Sequence, residues 1–556
     1  MSDLKSTGLQ SLHPPVLKQQ LPPATGTSAQ PDAAYHKKVP DYVLDVPYTW
    51  SFFTYQSPVL LSYVARLNGF FMPPHAQPFS YCDLGCGNGV SLNFLAAAYP
   101  HATFYGVDFN AGHIINAQSM AEEAGLTNIH FINASFEQYE LSNPPKFDYI
   151  ALHGIYSWVG VEIRGQIRSL IDQCLNPGGL VYLSYNTLPG WSTLTPLWKM
   201  MQSYITAVEG DSIAKVKIGL ENIAALRDAG AGYFRTNPSA SRFLDKLLAR
   251  DPHYVAHEFC NGCFEPQYFR DVAYEMADIG LSFAGNAKIR RNNPDNVTSR
   301  KQKPHLEAAP NALERESRAS FMRNESFRRD IYIRDRSKAP AADQDHFFDD
   351  LYLGANVPVY RMKSELELGY RHVNLASPLY QNLIRIAAGG DHNFAELCHH
   401  PELGEFSAGK IMSALHDLIA GEQFQPLIKP VQPQASDGES TYRLVSNTTR
   451  AFMARRLILE GKAYVESPVL GTSLRLNFIN GLFTLALDGH TLSEARTSVK
   501  AKLAQLTDDQ VSALNLAAEF RTEAWLDEQF RRFTKRNLPI LVKFGILQPD
   551  VTNRPD

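Results

Sequence analysis

The sequence predicts an α/β architecture: a doubly wound, Rossmann-like domain followed by mainly helical middle and C-terminal domains. Three observations carry this. Between about residues 79 and 195, short apolar runs alternate with helical patterns, the signature of a parallel sheet with helices on both faces. Beyond about residue 196 the periodicity is mostly helical. At 556 residues the chain also exceeds what one hydrophobic core supports, so several domains are expected.

Residues 1–40 are rich in Pro, Ser, Gln, Thr and Ala without lasting periodicity, which predicts a disordered tail. From Tyr42 the texture changes to Asp45-Val46-Pro47-Tyr48, and residues 58–67 space their apolar positions as on an amphipathic helix. The predicted strands are 81–84, 103–108, 129–132, 147–152 and 179–185, with helices between them such as 90–98 and 112–124. This first domain is expected over 41–196, a helical middle domain over 197–345, and a mainly helical C-terminal domain over 437–556. Between the last two, residues 346–436 form a helical segment in which 394–427 reads as helix, turn, helix and short strand, resembling a winged helix. No basic recognition helix accompanies it, so nucleic-acid binding is not expected. Residues 288–338 carry fourteen Lys or Arg against seven Asp or Glu. That surplus reads as a solvated, partly mobile linker or as a docking face for an acidic partner.

The net charge of −4 points globally to neither nucleic acid nor an anionic membrane surface. No secretory-signal pattern opens the sequence and no window is apolar enough for a spanning helix, so a cytoplasmic protein without membrane insertion is expected. Six scattered cysteines, Cys82, Cys86, Cys174, Cys260, Cys263 and Cys398, predict free thiols. The Cys260/Cys263 pair lacks a companion pair, and neither it nor His399-His400 belongs to an array with metal-ligand spacing, so no metal is expected.

The chemistry concentrates in Asp83-Leu84-Gly85-Cys86-Gly87-Asn88-Gly89, the first strand-to-helix turn, where a doubly wound sheet approaches its ligand most closely. Gly85, Gly87 and Gly89 let backbone pass near a ligand and adopt positive φ. A dinucleotide fingerprint would place its third glycine at 90, but Val90 stands there and the spacing is G-x-G-x-G. Asp83 would repel a diphosphate yet suits the ammonium of S-adenosyl-L-methionine. Asp108 closes the second strand nineteen residues after Gly89, where a carboxylate accepts hydrogen bonds from ribose hydroxyls. Phe109 is placed to stack on the adenine, Asn133, Ala134 and Ser135 to line its edge, and His153 and Gly154 to face the methionyl group.

The segments Asp45–Tyr48, Asp83–Gly87, Gly106–Asp108, Phe147–Val159 and Ser184–Trp191 together resemble class I methyltransferases that carry a methyltransferase regulatory domain, a family that includes bacterial lysine methyltransferases of outer-membrane proteins. The resemblance continues through 254–266 and 322–328, and extends to the C-terminal third in outline. It implies cofactor contacts at Asp83, Gly85, Gly87, Asp108 and around His153, an aromatic acceptor pocket near Tyr48, Tyr156, Trp158, Tyr185 and Trp191, and a homodimer. Ser135 departs from the family's more usual acidic residue. If the acceptor is a lysine, an aromatic, poorly hydrated channel lowers the ammonium pKa, and Tyr48, Tyr185 or Asn186 would orient the amine. Methyl transfer to a small metabolite or natural product, or a cofactor-binding inactive scaffold acting through the helical domains, stands as the alternative.

Overall fold

The computed structural model describes residues 43, 45–46, 49–340, 344, 346–432 and 440–550. The tail expected over 1–40, and Tyr48, lie outside the described residues. The sheet is built from β1 (Ser80–Leu84), β2 (Thr103–Asp108), β3 (Ile129–Asn133), β4 (Phe147–Leu152), β5 (Leu175–Leu188), β6 (Gln267–Tyr268), β7 (Leu281–Asn286) and β8 (Phe327–Arg334). Their order is β3-β2-β1-β4-β5-β8-β7, with β6 paired to the end of β5. The order reverses between β2-β1 and β4, so the carboxyl ends of β1, β2 and β4 converge on one crevice.

Side chains alternate between two cores, as the period of two in a strand requires. Tyr81, Ala151, Leu180, Tyr182, Ile331 and Ile333 face helices α1 (Pro58–Leu67) and α2 (Val90–Ala98). Cys82, Leu84, Ile150, Leu152, Val181, Leu183 and Tyr332 face α5 (Val161–Cys174) and the helix Phe269–Ala277. Pro58 opens α1 at its first position, where a missing N–H costs nothing. Helix α3 (Ala111–Ala124) is capped by the Asn110 side chain and ends at Gly125 with φ of 68°.

The sheet is mixed rather than parallel, because β8 runs antiparallel to both β5 and β7. Both late strands come from the segment expected to be a helical middle domain, which also holds helices such as Ser212–Asp228 and Pro252–Phe259. The charges of Arg328 and Asp330 masked β8 as a core strand. Both side chains are fully buried, and Arg328 is paired with Asp330, Glu325 and Glu316. The basic stretch 288–338 is accordingly no linker. Arg291, Arg323 and Arg328 spend their charge inside the protein on Glu316, Glu325 and Asp330, and desolvation is compensated only by such complete pairing.

The segment resembling a winged helix contains helices Phe394–Cys398 and Ala408–Ala420 and strand Phe424–Leu427, which pairs with Tyr352–Ala355. The C-terminal region adds the antiparallel hairpin Lys462–Ser467 and Thr472–Asn477, and it shares one core with α2 and β1. Among the described residues no helix is long and apolar enough to cross a membrane, and no group of three or more side chains is arranged to hold a metal ion.

Candidate active site

Gly85, Gly87 and Gly89 all carry positive φ, 78°, 54° and 66°, but they serve different ends. A Cβ on Gly85 would lie 1.8 Å from Ile155 Cδ1, so the β1 turn passes directly beneath the loop after β4. Gly89 caps α2, and a Cβ there would collide with Ala117 and the Phe131 ring. It is a packing glycine, away from the cavity wall. The loop is pinned to β2 by Gly85 N and Cys86 N, which both donate to Val107 O.

Asp108 is oriented from both sides. Its Oδ2 accepts from Gly87 N at 2.9 Å and its Oδ1 from Asn110 N at 2.8 Å, with His113 Nδ1 at 3.4 Å. Asn133 does not line the crevice; its Nδ2 donates to the carbonyls of Asp108 and Phe109 and braces the turn after β2.

These elements enclose a cavity of about 590 Å³, within the range of small-molecule sites. Asp83, Gly85, Gly87, Asp108, Phe109, Ala134, Ser135, His153 and Gly154 line it, and Trp158, Val159, Ile163 and Cys263 close its far end. Burial and the nearby Asp108 charge raise the Asp83 carboxyl to about 7, opposed by a hydrogen bond from Gln56 Nε2 at 3.3 Å. His153 stacks on Phe53 at 3.8 Å and contacts the Tyr182 hydroxyl through Nδ1. Burial and Arg329 push its pKa down to about 3, so it is neutral and a weak base at physiological pH.

Of the described aromatic residues expected at the acceptor, Trp158 alone lines the cavity. Tyr156 is buried on the α5 side of the sheet, its hydroxyl donating to Glu275. Tyr185 is buried on the same side, donating to Asp330 Oδ2 at 2.6 Å. Asn186 Oδ1 accepts from Trp191 Nε1 at 3.0 Å, and its backbone N donates to Ser157 Oγ at 2.8 Å. Trp191 packs edge-on against Phe264, whose ring stacks on Trp158 at 4.4 Å. Segments 153–158 and 185–191 are thus joined through Ser157 and Asn186, while the hydroxyls of Tyr156 and Tyr185 are taken up by Glu275 and Asp330, outside both segments. An aromatic-rich motif does not reveal which ring faces the cavity, since burial satisfies all of them equally.

Thr49, Ser51, Phe53 and Gln56, an N-terminal strap, also line the cavity, as does Cys263. Nothing local signals them. His113 also lines the cavity, and it was legible as the residue one turn into α3, beside Asp108.

A doubly wound mixed sheet with a glycine turn and two buried acids at the strand ends of its switch point is the architecture of a nucleoside-binding α/β protein. Residues 77–223 match the methyltransferase domain family and residues 251–334 the predicted methyltransferase regulatory domain. An uncharacterized protein of Synechocystis sp. is 30% identical over 514 residues, covering 91% of this chain and 99% of the relative. A Rickettsia prowazekii protein, also uncharacterized, is 35% identical over 228 residues, 40% of this chain and 89% of its own length. The fold is that of PKMT2 from Rickettsia typhi, solved in complex with AdoHcy, at a TM-score of 0.64 and 19% identity, covering 90% of this chain and 99% of that one. The chain belongs to the S-adenosylmethionine-dependent methyltransferases that carry this regulatory domain. The regulatory-domain match spans β6, β7 and β8, so that region completes the catalytic sheet.

Proposed function

We propose that the enzyme methylates a protein lysine side-chain amine. The observation that carries the reading is that one cavity is lined both by Asp83 and Asp108 and by the apolar side chains of Trp158, Val159 and Ile163. In this reading Asp83 binds the methionyl ammonium, Asp108 the ribose hydroxyls, and Phe109, Ala134 and Ser135 the adenine. Gly85, Gly87 and Gly154 let backbone approach the methionyl chain, and the neutral ring of His153 forms a wall there. S-adenosylmethionine, bound at this site, supplies an electrophilic methyl group on a sulfonium.

The apolar end does the rest. It excludes water and disfavours a charged ammonium, so the entering lysine sheds its proton to solvent and presents a lone pair. The enzyme's main contribution would be to align that nitrogen with the electrophilic methyl group in a site closed to water. Trp158 offers its face to a partly methylated ammonium. Asn186 and Trp191 act through that wall: Asn186 holds the Trp191 indole, which packs on Phe264, the ring stacked on Trp158. The motif resemblance to lysine methyltransferases supports the choice of acceptor. The test is transfer of radiolabelled methyl to bacterial extract, followed by hydrolysis: label recovered as methyl-lysine is expected, and label confined to small molecules, or absent, overturns the reading.

A further inference from the structure

The strap that covers the cofactor end of the cavity carries a polar group for which the protein supplies no partner. Gln56 sits in the single turn Thr54–Gln56 and is 1% exposed. Its Nε2 donates to Asp83 Oδ1, which orients the amide and leaves Oε1 buried without a hydrogen bond. Leaving a buried acceptor unsatisfied is costly, and such groups await a donor. Gln56 lines the same cavity as Asp83, so that donor is a ligand group lying beside the Asp83 carboxylate.

The position of Gln56 is set with care. Its backbone carbonyl accepts from the Tyr81 hydroxyl at 3.0 Å, on β1, two residues before Asp83. On either side the strap is gripped by the distant C-terminal region: Ser57 Oγ and Thr472 Oγ1 lie 2.6 Å apart, Lys462 Nζ donates to Ser51 Oγ at 3.1 Å, and the Arg456 guanidinium covers Trp50 at 3.5 Å. Tyr464 of the same hairpin packs on Phe52. A residue so fixed loses little entropy on binding and acts as a preorganised contact.

We infer that Gln56 is a further binding residue for the amino-acid end of the cofactor, its Oε1 accepting one hydrogen of the ammonium that Asp83 neutralises, with the C-terminal hairpin 462–477 holding it in place. The inference rests on the cofactor reading of the cavity. It also gives the C-terminal region a role in cofactor recognition: Asp83 supplies charge, and Gln56 supplies direction.

Two ligands separate this from a structural role. S-adenosylhomocysteine carries the amino-acid end, and 5′-methylthioadenosine keeps the nucleoside but lacks it. Calorimetric titration of the full chain is expected to show Gln56→Met weakening S-adenosylhomocysteine about tenfold to hundredfold, the range for a hydrogen bond to a charged group. Methylthioadenosine should bind within about twofold of the wild type, since Met matches Gln in length. Gln56→Asn, too short to span from Asp83 to the ligand, should repeat the pattern, and Thr472→Val should reproduce it more weakly. Equal loss for both ligands, or no loss for either, overturns the inference while the cofactor reading stands. Wild-type protein that binds neither ligand overturns both.

Discussion

The two ends of the cavity are built on opposite plans. At the cofactor end, the groups come from the ends of consecutive strands: Asp83 from β1, Asp108 from β2, Ala134 and Ser135 after β3, His153 and Gly154 after β4. At the proposed acceptor end, the buried ring of Trp158 lines the cavity and is held by a stack reaching Phe264 and Trp191, and Cys263, more than a hundred residues along the chain, lines it too. One end is a consequence of sheet topology. The other depends on how separate segments pack.

The largest expected effect comes from removing the internal charge of β8, the strand that packing of distant segments adds to the sheet. Arg328→Met leaves Asp330, Glu325 and Glu316 without their shared partner, an expected loss of about 3–5 kcal/mol in stability measured by denaturant unfolding. Loss below about 1 kcal/mol would mean those carboxyls find other donors.

Asp108→Ala attacks the cofactor end alone. In the proposed reading it removes the ribose acceptor, and it also leaves Gly87 N and Asn110 N without their partner, so S-adenosylmethionine affinity should fall by about 2–3 kcal/mol in calorimetry, alongside a loss of about 1–3 kcal/mol in the stability of the free enzyme. Unchanged affinity would remove Asp108 from the ribose role.

Trp158→Ala tests the independence of the two ends. Methyl transfer kcat/KM is expected to drop about tenfold to fiftyfold, with cofactor affinity within about twofold of wild type. Parallel losses in both would join the ends into one unit.

The smallest effect is a pH dependence. The free Asp83 carboxyl is raised to about 7 by burial and the Asp108 charge, and a ligand ammonium favours its ionised form. Binding therefore releases a proton below that value, and affinity falls as pH drops through it. S-adenosylmethionine should bind about tenfold more weakly at pH 6 than at pH 8. Asp83→Asn should flatten the profile, and a wild-type profile flat over that range would show Asp83 already ionised in the free enzyme.

Legibility in the sequence follows the same division. Helix α2 was predicted at 90–98 and runs Val90–Ala98, and β2 and β4 likewise match their apolar runs. Asp83, Gly85, Gly87 and Asp108 could be placed because a strand end followed by glycines has one geometry. Gly89 and Asn133 share that neighbourhood yet serve packing and bracing, a distinction that needs the coordinates of Phe131 and Phe109. Strand β8 escaped because Arg328 and Asp330 break its apolar pattern, and their mutual pairing is a three-dimensional fact.

The sequence by itself determined the sheet's central strands, the glycine turn and its acids, because these depend on contacts within a few residues and on side-chain periodicity; the methyltransferase family was legible separately, through the resemblance of its motifs. Only the tertiary structure decided which aromatic ring faces the cavity, that residues 281–334 finish the sheet, and that the strap at 49–57 lies over Asp83 under the grip of residues 456–472. Those contacts join segments separated by hundreds of residues, and no local propensity encodes a partner that folding alone brings near.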